Sequence, residues 1–178
     1  HPCREGRLHQ KAESLERRET VETLVVDKTG TLNEGKPKVV VVVTAEGNDE
    51  KGVLRFAASV ERASEHPLAT AIVAAAAARN IVLADVQDFD SPTGKGVTGM
   101  VDHRRVTLGN AKYLGELNIA TTSLESEAER LRQEVATAIF LATDDKLAGV
   151  IASADPIKAT TAAGLRALVA ERHRIVLL

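Results

Sequence analysis

The chain has no tryptophan, one tyrosine, three phenylalanines and one cysteine in 178 residues. With so few rings it has no platform on which nucleic-acid bases could stack in succession, so any site for a planar base must rely on aliphatic packing and polar contacts. The single cysteine, Cys3, excludes an internal disulfide and a cysteine-only metal cage. An excess of one charge is also missing: 23 Lys and Arg stand against 25 Asp and Glu, for a net charge of −2. That balance gives no support to nucleic-acid partners or to adhesion to an anionic membrane surface. The longest apolar runs, Val39 to Val43 and Ala71 to Ala78, fall far short of the roughly 20 residues that a membrane-spanning helix needs. The N-terminus has no apolar stretch of the kind a signal peptide carries, and no Walker A sequence occurs, which disfavours a P-loop enzyme. What remains is the composition of a globular protein, 44% hydrophobic and 27% charged, with enough residues for one or two compact domains. A cytoplasmic compartment fits.

Local patterns suggest the organisation. Residues 8–20 are polar with scattered apolar positions and read as a charged surface helix. Thr23 to Val26 is a short apolar run that stops at Asp27-Lys28-Thr29-Gly30, as a buried strand of an open α/β sheet does at its functional end. Val39 to Thr44 is β-branched and reads as a strand. Residues 51–62 place Val53, Leu54, Ala57, Ala58 and Val60 on one helical face. Pro67 then suits a first helical turn ahead of the helix-forming Leu68 to Ala78. Strands are expected at 97–102, 104–108, 136–143 and 146–153, with an exposed helix at 123–134. Toward the end, a helix over Lys158 to Glu171 leads to a strand over Arg174 to Leu178. Strand–helix–strand signals at the two extremities predict a split α/β domain (1–35 and 153–178) into which an α+β domain (36–152) is inserted.

Five sites in the sequence carry candidate chemistry. A carboxylate at a strand end, here Asp27, can be a turn residue, a metal ligand or a nucleophile that accepts a phosphoryl group. Lys28, Thr29, Gly30 and Thr31 supply the cation, hydroxyls and backbone N–H groups that phosphate oxygens require. His66, before Pro67, can be a helix cap, a core residue or a ligand contact, and Glu61 lies five residues before it. Gly94-Lys95-Gly96-Val97-Thr98-Gly99 matches GxGxxG literally. It lacks the strand–turn–helix setting of a dinucleotide fingerprint, so that reading is rejected. Asn110, after Leu108-Gly109, suits a helix N-cap ahead of Ala111 to Leu117. Asp155-Pro156-Ile157-Lys158 reads as a connector and helix start whose proline limits backbone freedom.

Together these strings carry a family likeness. DKTGTL at 27–32 resembles the phosphorylation signature of P-type ATPases. Its continuation NEGKPKV and the lead-in AESLERRETVETLVV resemble the heavy-metal branch. SEHPLA at 64–69, the GxG loop, the LGN element at 108–110 and DPIK at 155–158 follow in the family's order, so the likeness spans roughly 12–178. It implies a partial haloacid-dehalogenase-like phosphorylation domain with an inserted α+β nucleotide-binding domain, an antiparallel sheet flanked by helices. By the same likeness Asp27 becomes an aspartyl phosphate, Lys28 and Thr31 hold phosphate, and Asp27 with the Thr29 carbonyl holds Mg²⁺. Glu61, His66, Gly94, Gly96 and Asn110 contact ATP, the glycines by admitting backbone close to the nucleotide.

The implied function is ATP hydrolysis coupled to export of a heavy-metal ion, copper or silver in preference to zinc or cadmium. A haloacid-dehalogenase-like phosphatase is disfavoured, because Thr29 stands where such enzymes carry a second aspartate. A non-catalytic nucleotide-binding module is a further alternative. The chain contains no intramembrane Cys-Pro-Cys, no TGE segment, no TGD and no GDGxNDxP. It is therefore expected to be a cytoplasmic part of a membrane protein, partnered by membrane, actuator and remaining phosphorylation domains. It is expected to bind ATP with little or no turnover and not to bind the transported metal itself.

Overall fold

The computed structural model describes residues 34–134 and 137–156, together with the backbone of two strands at 23–26 and 174–177. The chain divides into two compact units, one formed by 1–35 with 157–178 and the other by Lys36–Pro156. In the first, β1 (Thr23–Val26) and β8 (Arg174–Leu177) pair in parallel, with Thr23 opposite Arg174 and Val26 opposite Leu177. A parallel pair requires a long crossover between its strands. The expected helices at 8–20 and at 158–171 lie outside the described residues.

The second unit is a six-stranded antiparallel sheet covered by helices on both faces. Its strands are β2 (Lys38–Thr44), β3 (Val86–Asp90), β4 (Gly96–Val101), β5 (Arg104–Gly109), β6 (Thr137–Thr143) and β7 (Lys146–Ala154), in spatial order β2-β7-β6-β5-β4-β3. The helices are α1 (Glu50–Glu61), α2 (Pro67–Ala78), α3 (Ala111–Glu116) and α4 (Thr122–Glu134). Side chains alternate across a pleated strand, and β6 shows the consequence. Leu141 joins the layer under α1 and α2, with Val53, Leu54 and Ile72, while Ala138, Phe140 and Ala142 join the layer under α3 and α4, with Leu114 and Leu131. The pairing of β6 with β7 shifts between Leu141 and Ala142. That bulge places both Ala148 and Ile151 in the α1–α2 layer despite their odd separation.

Local signals explain most boundaries. Asp49 caps α1 by accepting the Gly52 N–H at 3.3 Å, and Pro67 occupies the first turn of α2, where a missing N–H costs nothing. The turns Asp102-His103 and Asp144-Asp145 have positive φ at both residues, the geometry that suits two-residue hairpins. Two features depart from the sequence reading. β3 was not foreseen: VQDFD is a polar edge strand whose pairing with β4 slips between Gln87 and Asp90. The helix at 122–134 is only partly exposed, since Ala128 and Leu131 are fully buried against the sheet. At the open end of the unit, the Lys36 N–H donates to Asp155 Oδ1 at 3.3 Å, tying the two ends together. Among the described residues no helix is long and apolar enough to cross a membrane.

Candidate functional site

One cavity of about 290 Å³ opens between the α1–α2 corner and the loop that enters β4. Leu68, Val97, Leu108 and Ile139 form its apolar wall. All five residues expected from sequence to contact nucleotide line it: Glu61, His66, Gly94, Gly96 and Asn110. They come from the end of α1 (Glu61), the N-caps of α2 and α3 (His66 and Asn110), and the loop and first residue of β4 (Gly94 and Gly96); the Gly96–Gly109 register pair across β4 and β5 brings the last three together.

Glu61 is the last residue of α1 and only 6% exposed. Its Oε2 is buried without a hydrogen-bond partner. Burial pushes the carboxyl above its usual range, and a hydrogen bond from Ser64 pulls the other way. The same Ser64 hydroxyl accepts the His66 N–H at 3.3 Å, so one side chain joins the two residues. The folded protein holds the Glu61 proton more tightly than the unfolded chain. Stability contributed by that difference is therefore lost as pH rises from 4.5, the ordinary value, through the raised one. Glu61→Gln is expected to melt higher than the parent sequence at pH 7.5, by about 1 kcal/mol, the lower end for a buried unsatisfied group. The two should melt together at pH 4. Melting curves at both pH values check this; an advantage of equal size at pH 4 would show that ionisation is not its source.

His66 caps α2: its Nδ1 accepts the Leu68 N–H at 3.1 Å. Among the three roles open to it on sequence, the cap is thus filled, and it also decides what His66 can offer a ligand. A ring nitrogen that accepts carries no proton, so the proton sits on Nε2, which becomes the donor. Asn110 behaves alike. Its Oδ1 caps α3 by accepting the Tyr113 N–H at 2.8 Å, leaving the side-chain NH₂ as its donor.

The glycines differ in kind. Gly94 has φ +72°, and a Cβ there would meet nothing within 4 Å, so conformation alone demands glycine. Gly96 is crowded from within the protein. A Cβ would overlap the Leu108 carbonyl oxygen and lie 2.8 Å from Gly109 Cα and 2.9 Å from Tyr113 Cδ1. Its small size admits β5 and the Tyr113 ring. Gly109, which the sequence reading did not single out, has the same origin, with Tyr113 Cδ1 at 2.6 Å. The GxGxxG string does follow a strand, β3, but it leads into the antiparallel strand β4 and not into a helix. Lys95, Ser64 and the Ser91-Pro92-Thr93 turn also line the cavity and were not foreseen. Asp27, Lys28, Thr29 and Thr31, the expected phosphorylation and Mg²⁺ residues, lie outside the described residues; β1 ends at Val26, immediately before them in sequence.

A family model for haloacid dehalogenase-like hydrolases matches residues 21–178. The chain is 46% identical over 173 residues to a silver exporting P-type ATPase of Salmonella typhimurium, covering 97% of this chain and 21% of that protein. It is 47% identical over 164 residues to a copper-transporting P-type ATPase of Rhizobium leguminosarum bv. viciae, covering 92% and 20%. A crystal structure of a zinc-transporting PIB-type ATPase in the E2.Pi state superposes with a TM-score of 0.78 at 29% identity, over 88% of this chain and 25% of that one. The chain thus spans about one fifth of the length of the curated relatives it matches.

Proposed function

Because this chain belongs to the haloacid dehalogenase-like hydrolases and matches heavy-metal P-type ATPases across nearly its whole length, we propose that it is the ATP-handling, cytoplasmic part of such an ATPase. The observation that carries the reading is the convergence of Glu61, His66, Gly94, Gly96 and Asn110 on one cavity. An adenine amino group is a donor, and the unpartnered Glu61 Oε2 is an acceptor awaiting one. The Nε2–H of His66 and the amide of Asn110 add donors for ring nitrogens or ribose oxygens. The apolar wall takes the place of stacking rings, and the loop at Gly94 has no side chain to obstruct a ligand.

In the other unit, Asp27 is the proposed nucleophile. Its carboxylate oxygen attacks the γ-phosphorus of ATP, the bond to the β-phosphate oxygen breaks, and ADP leaves with that electron pair. Lys28 and Thr31 hold the transferred oxygens. A carboxylate at Asp27 and a carbonyl at Thr29 are hard oxygen donors of the kind Mg²⁺ takes, and the ion would offset phosphate charge there. In the whole protein, water would later cleave the acyl phosphate, and the cycle would drive export of a heavy-metal ion. The relatives at 46% and 47% identity support silver or copper over the zinc named for the structure at 29%. The proposed partners are ATP and the membrane, actuator and remaining phosphorylation domains of that protein.

Isothermal titration of ATP into the chain tests the pocket. His66→Ala and Gly94→Val are each expected to weaken binding by about tenfold, the worth of one well-placed polar contact or a displaced loop. Equal affinity in all three proteins would sink the assignment.

A further inference from the structure

Lys95 is the one lysine or arginine among the described residues that line the cavity. Its backbone N–H donates to the Pro92 carbonyl at 3.1 Å, which anchors the loop and leaves the side chain free to choose a partner. In this structure Nζ lies 2.5 Å from Glu116 Oε2, at the C-terminal end of α3 and outside the cavity lining. That hydrogen bond holds the Glu116 carboxyl below its usual range, with Lys112 adding a smaller attraction.

Both members of the pair are well exposed, at 48% and 39% of their side-chain surface. Exposed pairs of this kind are weak, whereas a polyphosphate presents several charges and strong acceptor oxygens to the same ammonium. The remaining polar lining groups make no comparable offer. Ser64, Ser91, Thr93 and Asn110 are neutral, Glu61 is acidic, and His66 spends its Nδ1 on the α2 cap. We propose that Lys95 is the residue by which this cavity distinguishes a nucleoside polyphosphate from a nucleoside, and that Glu116 is its built-in competitor, releasing the ammonium when phosphate arrives. The proposal rests on the reading of the cavity as an ATP site. Glu116 thereby weakens ATP binding, since its pair with Lys95 must open first, while leaving a nucleoside unaffected.

Titrating ATP and adenosine separately into the full chain, the Lys95→Ala variant and the Glu116→Gln variant tests this. Lys95→Ala is expected to weaken ATP about tenfold, as loss of a charge-assisted hydrogen bond does, and to leave adenosine unchanged. Glu116→Gln is expected to tighten ATP about threefold, the scale of an exposed ion pair, again without changing adenosine. A gain of affinity cannot come from misfolding, so the second variant protects the interpretation of the first. If adenosine and ATP bind but neither variant alters ATP, the role of Lys95 is overturned and the ATP site stands. A parallel loss of adenosine in Lys95→Ala would make the residue a structural part of the loop and also overturn it. Failure of both ligands to bind the unsubstituted chain would overturn the ATP site and this proposal together.

Discussion

Asp27→Asn, made in the longer protein and incubated with γ-labelled ATP and Mg²⁺, is expected to carry no acid-stable, hydroxylamine-labile label, where the unsubstituted protein carries one. The substitution keeps size and shape but replaces a charged oxygen nucleophile with a neutral amide. Loss of a covalent nucleophile removes the step it performs, an effect on the order of a thousandfold or more. ATP binding should be retained or tightened, because the residues gathered around the cavity, Glu61 through Asn110, belong to the other unit and the substitution removes a negative charge facing the γ-phosphate. The pairing of lost label with retained binding is what identifies a nucleophile. Label that survives Asp27→Asn would sink the assignment. An unsubstituted protein that binds ATP without ever being labelled would favour a non-catalytic nucleotide module.

Gly96→Ala should destabilise the Lys36–Pro156 unit more than any other single-methyl change at the cavity, by about 3 kcal/mol, or roughly 10 °C in melting temperature. The added Cβ would overlap a backbone carbonyl, that of Leu108, and press on Gly109 Cα and the Tyr113 ring, all of them buried. None is the far end of a flexible side chain except the ring, and Tyr113 is fixed in the first turn of α3 by the Asn110 cap. Relief would have to come from parting β4 and β5 at their Gly96–Gly109 pair. Gly94→Ala provides the contrast, since open space surrounds that position and only its left-handed φ resists a side chain, costing about 1–2 kcal/mol. Thermal unfolding followed by circular dichroism separates the two. A Gly96→Ala protein melting within roughly 2 °C of the parent would show that the strands can part at little cost.

The contrast between these glycines marks where sequence stops informing. Both sit in one GxG string and read as places for backbone to approach a ligand. Only the φ of Gly94 and the crowding at Gly96 reveal two different reasons for the same residue type. The histidine is similar. His66 before a helical proline allowed a cap or a ligand contact, and the geometry shows the cap, which in turn fixes the tautomer any ligand would meet. Lys95 is not legible as a site residue in the sequence, because a lysine between two glycines carries no periodic or spacing signal. Its importance comes from the elements around it. β3 escaped for the opposite reason: an edge strand needs only one neighbour, so it tolerates the polar sequence VQDFD that a central strand would not.

The sequence alone determined what depends on near neighbours along the chain. The apolar face of α1 at Val53, Leu54 and Ala57, the proline start of α2, the β-branched run of β2 and each of the DKTGTL, SEHPLA, GxG and DPIK strings are all short-range patterns. Tertiary structure decided what depends on distant residues meeting: a sheet ordered β2-β7-β6-β5-β4-β3, a helix α4 turned to bury Leu131, and a cavity that joins residue 61 to residue 110. Burial of Glu61 with one oxygen unpartnered belongs to the same class. A carboxylate's solvent and hydrogen-bond partners are set by which elements pack over it, and no spacing along the chain encodes that.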